Sequence, residues 1–351
     1  MELRPSMLLL VLGICLVIFI ITPLFLEKSL IYYPSRRMNS TLANWGLQYE
    51  DIYFQAADGT RLNGWYVPLG KGEMASPLQD KTFESSTLVT LWLHANAHNI
   101  SEAYDGEMMA LIQRHLKTNL FIFDYRGYGR SEGEVSESGT YSDARGALDY
   151  LRERGVAADT VILFGHSLGS AVAVDLAAEN TVRGLILWSP FTSVADIARY
   201  HYPILGHFYT LLPWLPGIKY DSISKIGSVG SPLLIIHGHD DMLVPLSMGK
   251  KLYDEAKVEK KIVVLRGADH NRMSNGEEML GAIDSFVRKL GRGEVASPLP
   301  DLKAVVFYHR ISQEPLAHLL HLSLCLCLAS GFYCNLKVFT HPYTRNRGKP
   351  Q

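Results

Sequence analysis

The fold is decided by nineteen residues: Val161-Ile162-Leu163-Phe164-Gly165-His166-Ser167-Leu168-Gly169-Ser170-Ala171-Val172-Ala173-Val174-Asp175-Leu176-Ala177-Ala178-Glu179. Val161 to Phe164 is a short apolar run, as expected of a strand buried on both faces. Leu168 to Glu179 is Ala-rich and helical in composition. Between them stands G-x-S-x-G. A serine in so sharp a strand-to-helix turn needs small residues two before and two after it. The turn lifts the Ser167 hydroxyl above the sheet edge. It also aims the amide of Leu168, and the positive end of the helix, at a developing oxyanion. A bare G-x-S-x-G is a weak signal; between a buried strand and a helix it points to a nucleophile.

Working outward, the same alternation repeats. Leu88–His94, Leu120–Tyr125, Leu185–Trp188, Leu233–His237 and Ile262–Leu265 read as strands. Ser101–His115, Tyr141–Arg154, Ser247–Lys257 and Glu277–Leu290 read as helices. Strand–helix alternation implies a mostly parallel sheet with helices on both faces. Ahead of it, Leu47–Gln55 and Leu62–Pro68 read as two strands joined at an Asp58-Gly59 turn. The alternation breaks at 191–226, an insertion rich in aromatic residues and prolines. We read it as a lid over the sheet edge, with Leu211 and Trp214 facing substrate and membrane.

A serine needs a base, and the base needs an orienting carboxylate. The strand Leu233–His237 leads into Gly238-His239-Asp240-Asp241, where either aspartate can serve. His270 follows the last strand and is the expected base. His201 and His207 fall in the insertion and read as ordinary polar residues. His237 and His239 share a strand face but lack a third ligand, so no metal is expected. The second oxyanion donor is expected in His94-Ala95-Asn96-Ala97-His98-Asn99, from the amide of Asn96.

Residues 7–26 form an uncharged apolar run of about the length that spans a bilayer. No small-residue cleavage pattern follows it, so we expect a single-pass anchor over 1–28, a tether over 29–46, a body over 47–290 and an extension over 291–351. Orientation is left open: Lys28, Arg36 and Arg37 outnumber Arg4, whereas the sequons at Asn39 and Asn99 suit a secretory compartment. Charge is balanced, with 34 Lys+Arg against 35 Asp+Glu, and gives no sign of nucleic-acid binding. The four cysteines, Cys15, Cys325, Cys327 and Cys334, all lie outside the body, which leaves no thiol nucleophile and no thiolate metal site there. No cofactor is expected. The stretch 293–301 echoes 72–80 (GEVASPLPD, GEMASPLQD), for which we have no physical account.

Taken together, several motifs resemble the membrane-anchored α/β-hydrolase-domain proteins of the yeast and bacterial Bem-forty-six-like group. They are Tyr32-Tyr33-Pro34, Asp58-Gly59-Thr60, the run from Asp124 to Gly133 (DYRGYGRSEG), the Ser167 turn, Ser189 to Ser193 (SPFTS), the run from His237 to Pro245 (HGxxDxxVP), and His270. The resemblance implies an α/β-hydrolase fold and selects Asp241 over Asp240. It implies a serine hydrolase acting through an acyl-enzyme on lipid or acyl esters, an acyl-protein thioesterase being the alternative with the same residues. A catalytically silent membrane scaffold is the reading from another class. Where the group usually has His-Gly-Asn-Ala-Gly, this chain has Ala95 and His98 in place of the glycines. If the first glycine needs positive φ, Ala95 strains the loop and Ala95→Gly raises kcat.

Overall fold

The computed structural model describes residue 13 and residues 22–69, 88–116, 118–203, 217–271 and 276–290. The expected anchor over 7–26 (apart from Gly13 and the backbone of 22–26), Leu211 and Trp214 of the lid, and the C-terminal extension lie outside the described residues. Among the described residues, no helix is long and apolar enough to cross a membrane.

The eight strands of the main sheet are β2 (Glu50–Gln55), β3 (Arg61–Val67), β4 (Val89–Leu93), β6 (Asn119–Phe123), β7 (Val161–His166), β8 (Gly184–Trp188), β9 (Leu233–Gly238) and β10 (Lys260–Leu265). Their spatial order is β10-β9-β8-β7-β4-β6-β3-β2. The pairs from β6 to β10 are parallel, whereas β2–β3 and β3–β6 are antiparallel. The β2–β3 connection turns at Gly59, where φ is 87°. A separate two-stranded parallel ladder joins β1 (Tyr33–Pro34) to β5 (Ala97–His98).

Period two explains the uninterrupted apolar strands. Along β7, Val161 and Leu163 enter one hydrophobic cluster while Ile162 and Phe164 enter the other. β8 and β9 divide in the same way: Leu185, Leu187, Leu233 and Ile235 face one side, and Ile186, Trp188, Leu234 and Ile236 the other. The first cluster is closed by α3 (Glu137–Glu153), α4 (Leu168–Glu179) and α7 (Leu246–Glu255). The second is closed by α2 (Ala103–Leu116) and α8 (Gly276–Leu290). Each fully buried Leu, Ile or Phe stabilises the fold by about 1.5–3 kcal/mol, so both faces need a helical cover.

Three local features differ from the sequence reading. α3 begins at Glu137, four residues before the expected start, because Ser136 caps it by accepting the Gly139 amide. The described ends of the insertion carry α5 (Val194–His201), capped by Ser193, and α6 (Ser222–Lys225), capped by Asp221. In the stretch read as a tether, α1 (Thr22–Ile31) runs into β1, and Tyr32 and Leu42 are buried against the body.

Candidate active site

The turn at Ser167 is strained and sterically exclusive. Ser167 adopts φ 51°, ψ −114°, which is rare for a residue with a side chain. A Cβ on Gly165 would stand 2.4 Å from the Gly169 carbonyl oxygen. A Cβ on Gly169 would stand 2.0 Å from the Leu93 oxygen and 2.7 Å from that of His94. The expectation of small residues thus has two concrete causes: Gly165 admits the first turn of α4, and Gly169 admits the end of β4. Leu168 is the first residue of α4, so its amide has no acceptor within the helix ladder.

Ser167 Oγ lies 2.9 Å from His270 Nε2, and His270 Nδ1 lies 2.7 Å from Asp241 Oδ2. The carboxylate fixes the tautomer: Nδ1–H donates to Asp241, which leaves Nε2 to accept from the serine hydroxyl. All three side chains are buried. The other oxygen of Asp241 accepts the amides of Leu243 (3.0 Å) and Val244 (2.8 Å). Burial pushes the Asp241 carboxyl up, but the His270 hydrogen bond and charge, with the Val244 amide, more than offset it and hold it below the ordinary value. Asp240 is exposed and accepts from His239 Nδ1 at 2.7 Å, away from His270. The two loops are tied to each other, since the Asp240 amide donates to the Ala268 carbonyl at 3.0 Å.

Buried imidazoles surround this trio and remain neutral. His166 stacks on Trp188 at 4.0 Å, and burial, helped by the nearby His270, pushes its pKa down to about 3. His237 donates from Nε2 to the Val244 carbonyl (2.8 Å) and packs under Asp241, with its pKa lowered by burial. His201 bonds the Leu243 carbonyl at the surface, and His207 lies outside the described residues. Among the described residues, no group of three His, Cys, Asp or Glu side chains could hold a metal ion.

The loop after β4 corrects the strain expectation. Ala95 is absent from the residues with positive φ; the left-handed position is His98, at φ 65°. Alanine therefore sits in ordinary backbone, and the second glycine replacement is the strained one. Asn96 lies in this loop, which adjoins α4 through the Leu93 and His94 carbonyls that pack on Gly169. Sequence reasoning missed what holds the loop. Its carbonyls accept from Tyr33, Tyr125 and Tyr128, residues already visible in the Tyr-Tyr-Pro and Asp-Tyr-Arg-Gly-Tyr motifs.

Residues 91–223 match the alpha/beta hydrolase family. An uncharacterized protein of Mycobacterium tuberculosis is 34% identical over 264 residues, covering 74% of this chain and 87% of that protein. The alpha/beta hydrolase domain-containing protein WAV2 of Arabidopsis thaliana is 34% identical over 66% of this chain and 75% of its own length. The lysophosphatidylserine lipase ABHD12 of Danio rerio is 32% identical, over 60% of each chain. Among solved structures, the Pyrococcus furiosus esterase Pf2001 superposes with a TM-score of 0.57 at 18% identity, covering 73% of this chain and 98% of that one, a likeness of fold. With a family model matched over residues 91–223 and relatives of this identity and coverage, the chain belongs to the α/β-hydrolase family.

Proposed function

We propose that the protein is a membrane-anchored serine hydrolase that cleaves lipid or acyl esters through an acyl-enzyme. The observation that carries this reading is the Ser167–His270–Asp241 relay, with separations of 2.9 and 2.7 Å, at a serine held in a strained turn. His270 Nε2 takes the Ser167 proton as Oγ attacks the ester carbonyl. The imidazolium so formed is stabilised by Asp241, which remains ionised. The tetrahedral oxyanion is held by the amides of Leu168 and Asn96. Collapse expels the alcohol, which takes the proton from His270, and water then repeats the sequence to release the acid.

An exposed apolar rim supports an apolar acyl group. Tyr200, Tyr202, Met242 and Leu243 are exposed large hydrophobic residues, and His201, at the end of α5, joins that helix to the loop after β9 through the Leu243 carbonyl. Met242 directly follows Asp241, so this rim borders the proposed site. In the insertion, Leu211 and Trp214 are the residues we assign to the acyl tunnel, and residues 7–26 hold the body at the bilayer. Each CH₂ buried in such a tunnel contributes about 0.8 kcal/mol. Turnover of p-nitrophenyl esters therefore rises from acetate to medium and long chains, and Trp214→Ala flattens that rise more than it lowers acetate turnover. A flat or falling profile overturns the lipid-ester reading and favours a small polar ester.

A further inference from the structure

Two sequence motifs have no part in the proton relay, yet both converge on the loop that carries Asn96. From one side comes the Tyr32-Tyr33-Pro34 segment that follows α1. The Tyr33 amide donates to the Asn96 carbonyl at 3.0 Å, and the Ser35 amide donates to that of His98 at 3.0 Å. The Asn96 side chain donates back to the Ile31 carbonyl at 2.6 Å. From the other side comes the segment after β6. Tyr128 donates its hydroxyl to the same Asn96 carbonyl at 2.7 Å, and Tyr125 donates to the His94 carbonyl at 3.3 Å. The two sides are joined as well, because the Gly129 amide donates to the Ser35 carbonyl at 2.8 Å. Within the loop, His94 Nδ1–H donates to the Ala95 carbonyl at 2.7 Å.

We infer that these two segments form a clamp that sets the oxyanion donor, with the Tyr128 hydroxyl and the Asn96 side chain as its positioning groups. The inference rests on the hydrolase reading above. In a trans peptide the C=O and the following N–H point in opposite directions. The Asn96 N–H shares its peptide with the Ala95 carbonyl, which His94 engages, and the peptides on either side are held from outside, by Tyr125 through the His94 carbonyl and by Tyr33 and Tyr128 through the Asn96 carbonyl, so the amide is fixed between two held planes. The loop has no glycine, and its left-handed residue is His98, so its shape comes from these outside donors rather than from local backbone preference. The segment that leaves the expected membrane anchor is thereby part of the site's architecture: Ile31, Tyr33 and Ser35 touch the loop directly.

The test uses full-length protein carrying Tyr128→Phe or Asn96→Ala, each of which keeps every backbone amide of the loop. Steady-state kinetics are measured on a p-nitrophenyl ester and on the matching thionoester, alongside thermal midpoints. A loosened donor weakens transition-state binding more than substrate binding, so kcat falls about tenfold with KM within about twofold. The preference of the wild type for the oxygen ester over the thionoester falls as well, because sulfur accepts these hydrogen bonds poorly. A merely structural role leaves that preference unchanged. Should Tyr128→Phe fold poorly, Asn96→Ala carries the test, since it alters only the bond to Ile31. Unchanged kcat in folded variants, or a lower kcat with an unchanged oxygen-to-sulfur preference, overturns the clamp while the hydrolase reading stands. Absence of any ester turnover by the wild type overturns the hydrolase reading itself.

Discussion

The ends of β7 and β4 are neighbours in the sheet, and both lead into the proposed site, but they hold their shape by opposite means. The turn after β7 is fixed by steric exclusion. Ser167 sits at φ 51°, and Cβ atoms at Gly165 and Gly169 would come within 2.4 and 2.0 Å of backbone. The loop after β4 has no glycine and is fixed by hydrogen-bond partners that arrive from residues 31–35 and 125–128. A turn fixed by sterics is written into its own five residues. A loop fixed from outside depends on segments about sixty residues before it and thirty after it.

The contrast is most easily broken at Gly169. Gly169→Ala places a methyl group inside the van der Waals radius of the Leu93 carbonyl, and neither β4 nor α4 can retreat without losing core contacts. We expect a loss of about 5 kcal/mol or more by denaturant unfolding, near the whole stability of a typical domain. A loss below about 1 kcal/mol would show that this turn, too, is malleable.

Acid sharpens the comparison, because each region contains a buried imidazole. Burial pushes the pKa of His94 down to about 4 and that of His166 down to about 3, and it lowers that of His237 as well. Below the ordinary value of 6.5 the unfolded chain takes up protons that the folded chain refuses, so stability falls as pH falls. His94 and His166 together remove about 3 kcal/mol between pH 6.5 and pH 5, and His237 acts in the same direction. The thermal midpoint should decline steeply across that window, and each of His94→Gln and His166→Gln should make the decline shallower. A midpoint flat from pH 6.5 to 5 would mean that these rings are not held neutral.

The smallest effects lie in the loop itself. His98→Gly removes the cost of a left-handed side chain, about 1–2 kcal/mol, but adds backbone entropy to the unfolded chain, leaving a gain of about 0.5 kcal/mol. Ala95→Gly has no strain to relieve. It costs about 0.5 kcal/mol and does not raise kcat. Thermal midpoints and kcat values for the pair check both signs; a rise in kcat with Ala95→Gly would return the strain to residue 95.

This contrast also explains what could be read in advance. The sheet and the relay were legible because their signals are local: β7, β8 and β9 are unbroken apolar runs, and the serine, aspartate and histidine each follow one of the strands. The choice between Asp240 and Asp241 was not local. It depends on which carboxylate turns inward to meet His270 and the Val244 amide, and the sequence reading selected Asp241 only through resemblance. The start of α3 was missed because a single cap, Ser136, outweighs the periodicity that follows it. The strain was assigned to Ala95 because a missing glycine was visible while the φ of His98 was not. The β1–β5 ladder was invisible because two-residue strands leave no period to detect.

The hydrolase reading stands or falls on Ser167 being a nucleophile activated by His270. It is tested most directly by treating the full-length protein with a fluorophosphonate and locating the adduct by peptide mass spectrometry. We expect one adduct, on the peptide containing Ser167, which disappears in Ser167→Ala while the thermal midpoint stays within a few degrees of wild type. Labelling of Ser167→Ala at the wild-type rate, or a folded wild-type protein that takes no label, would contradict it.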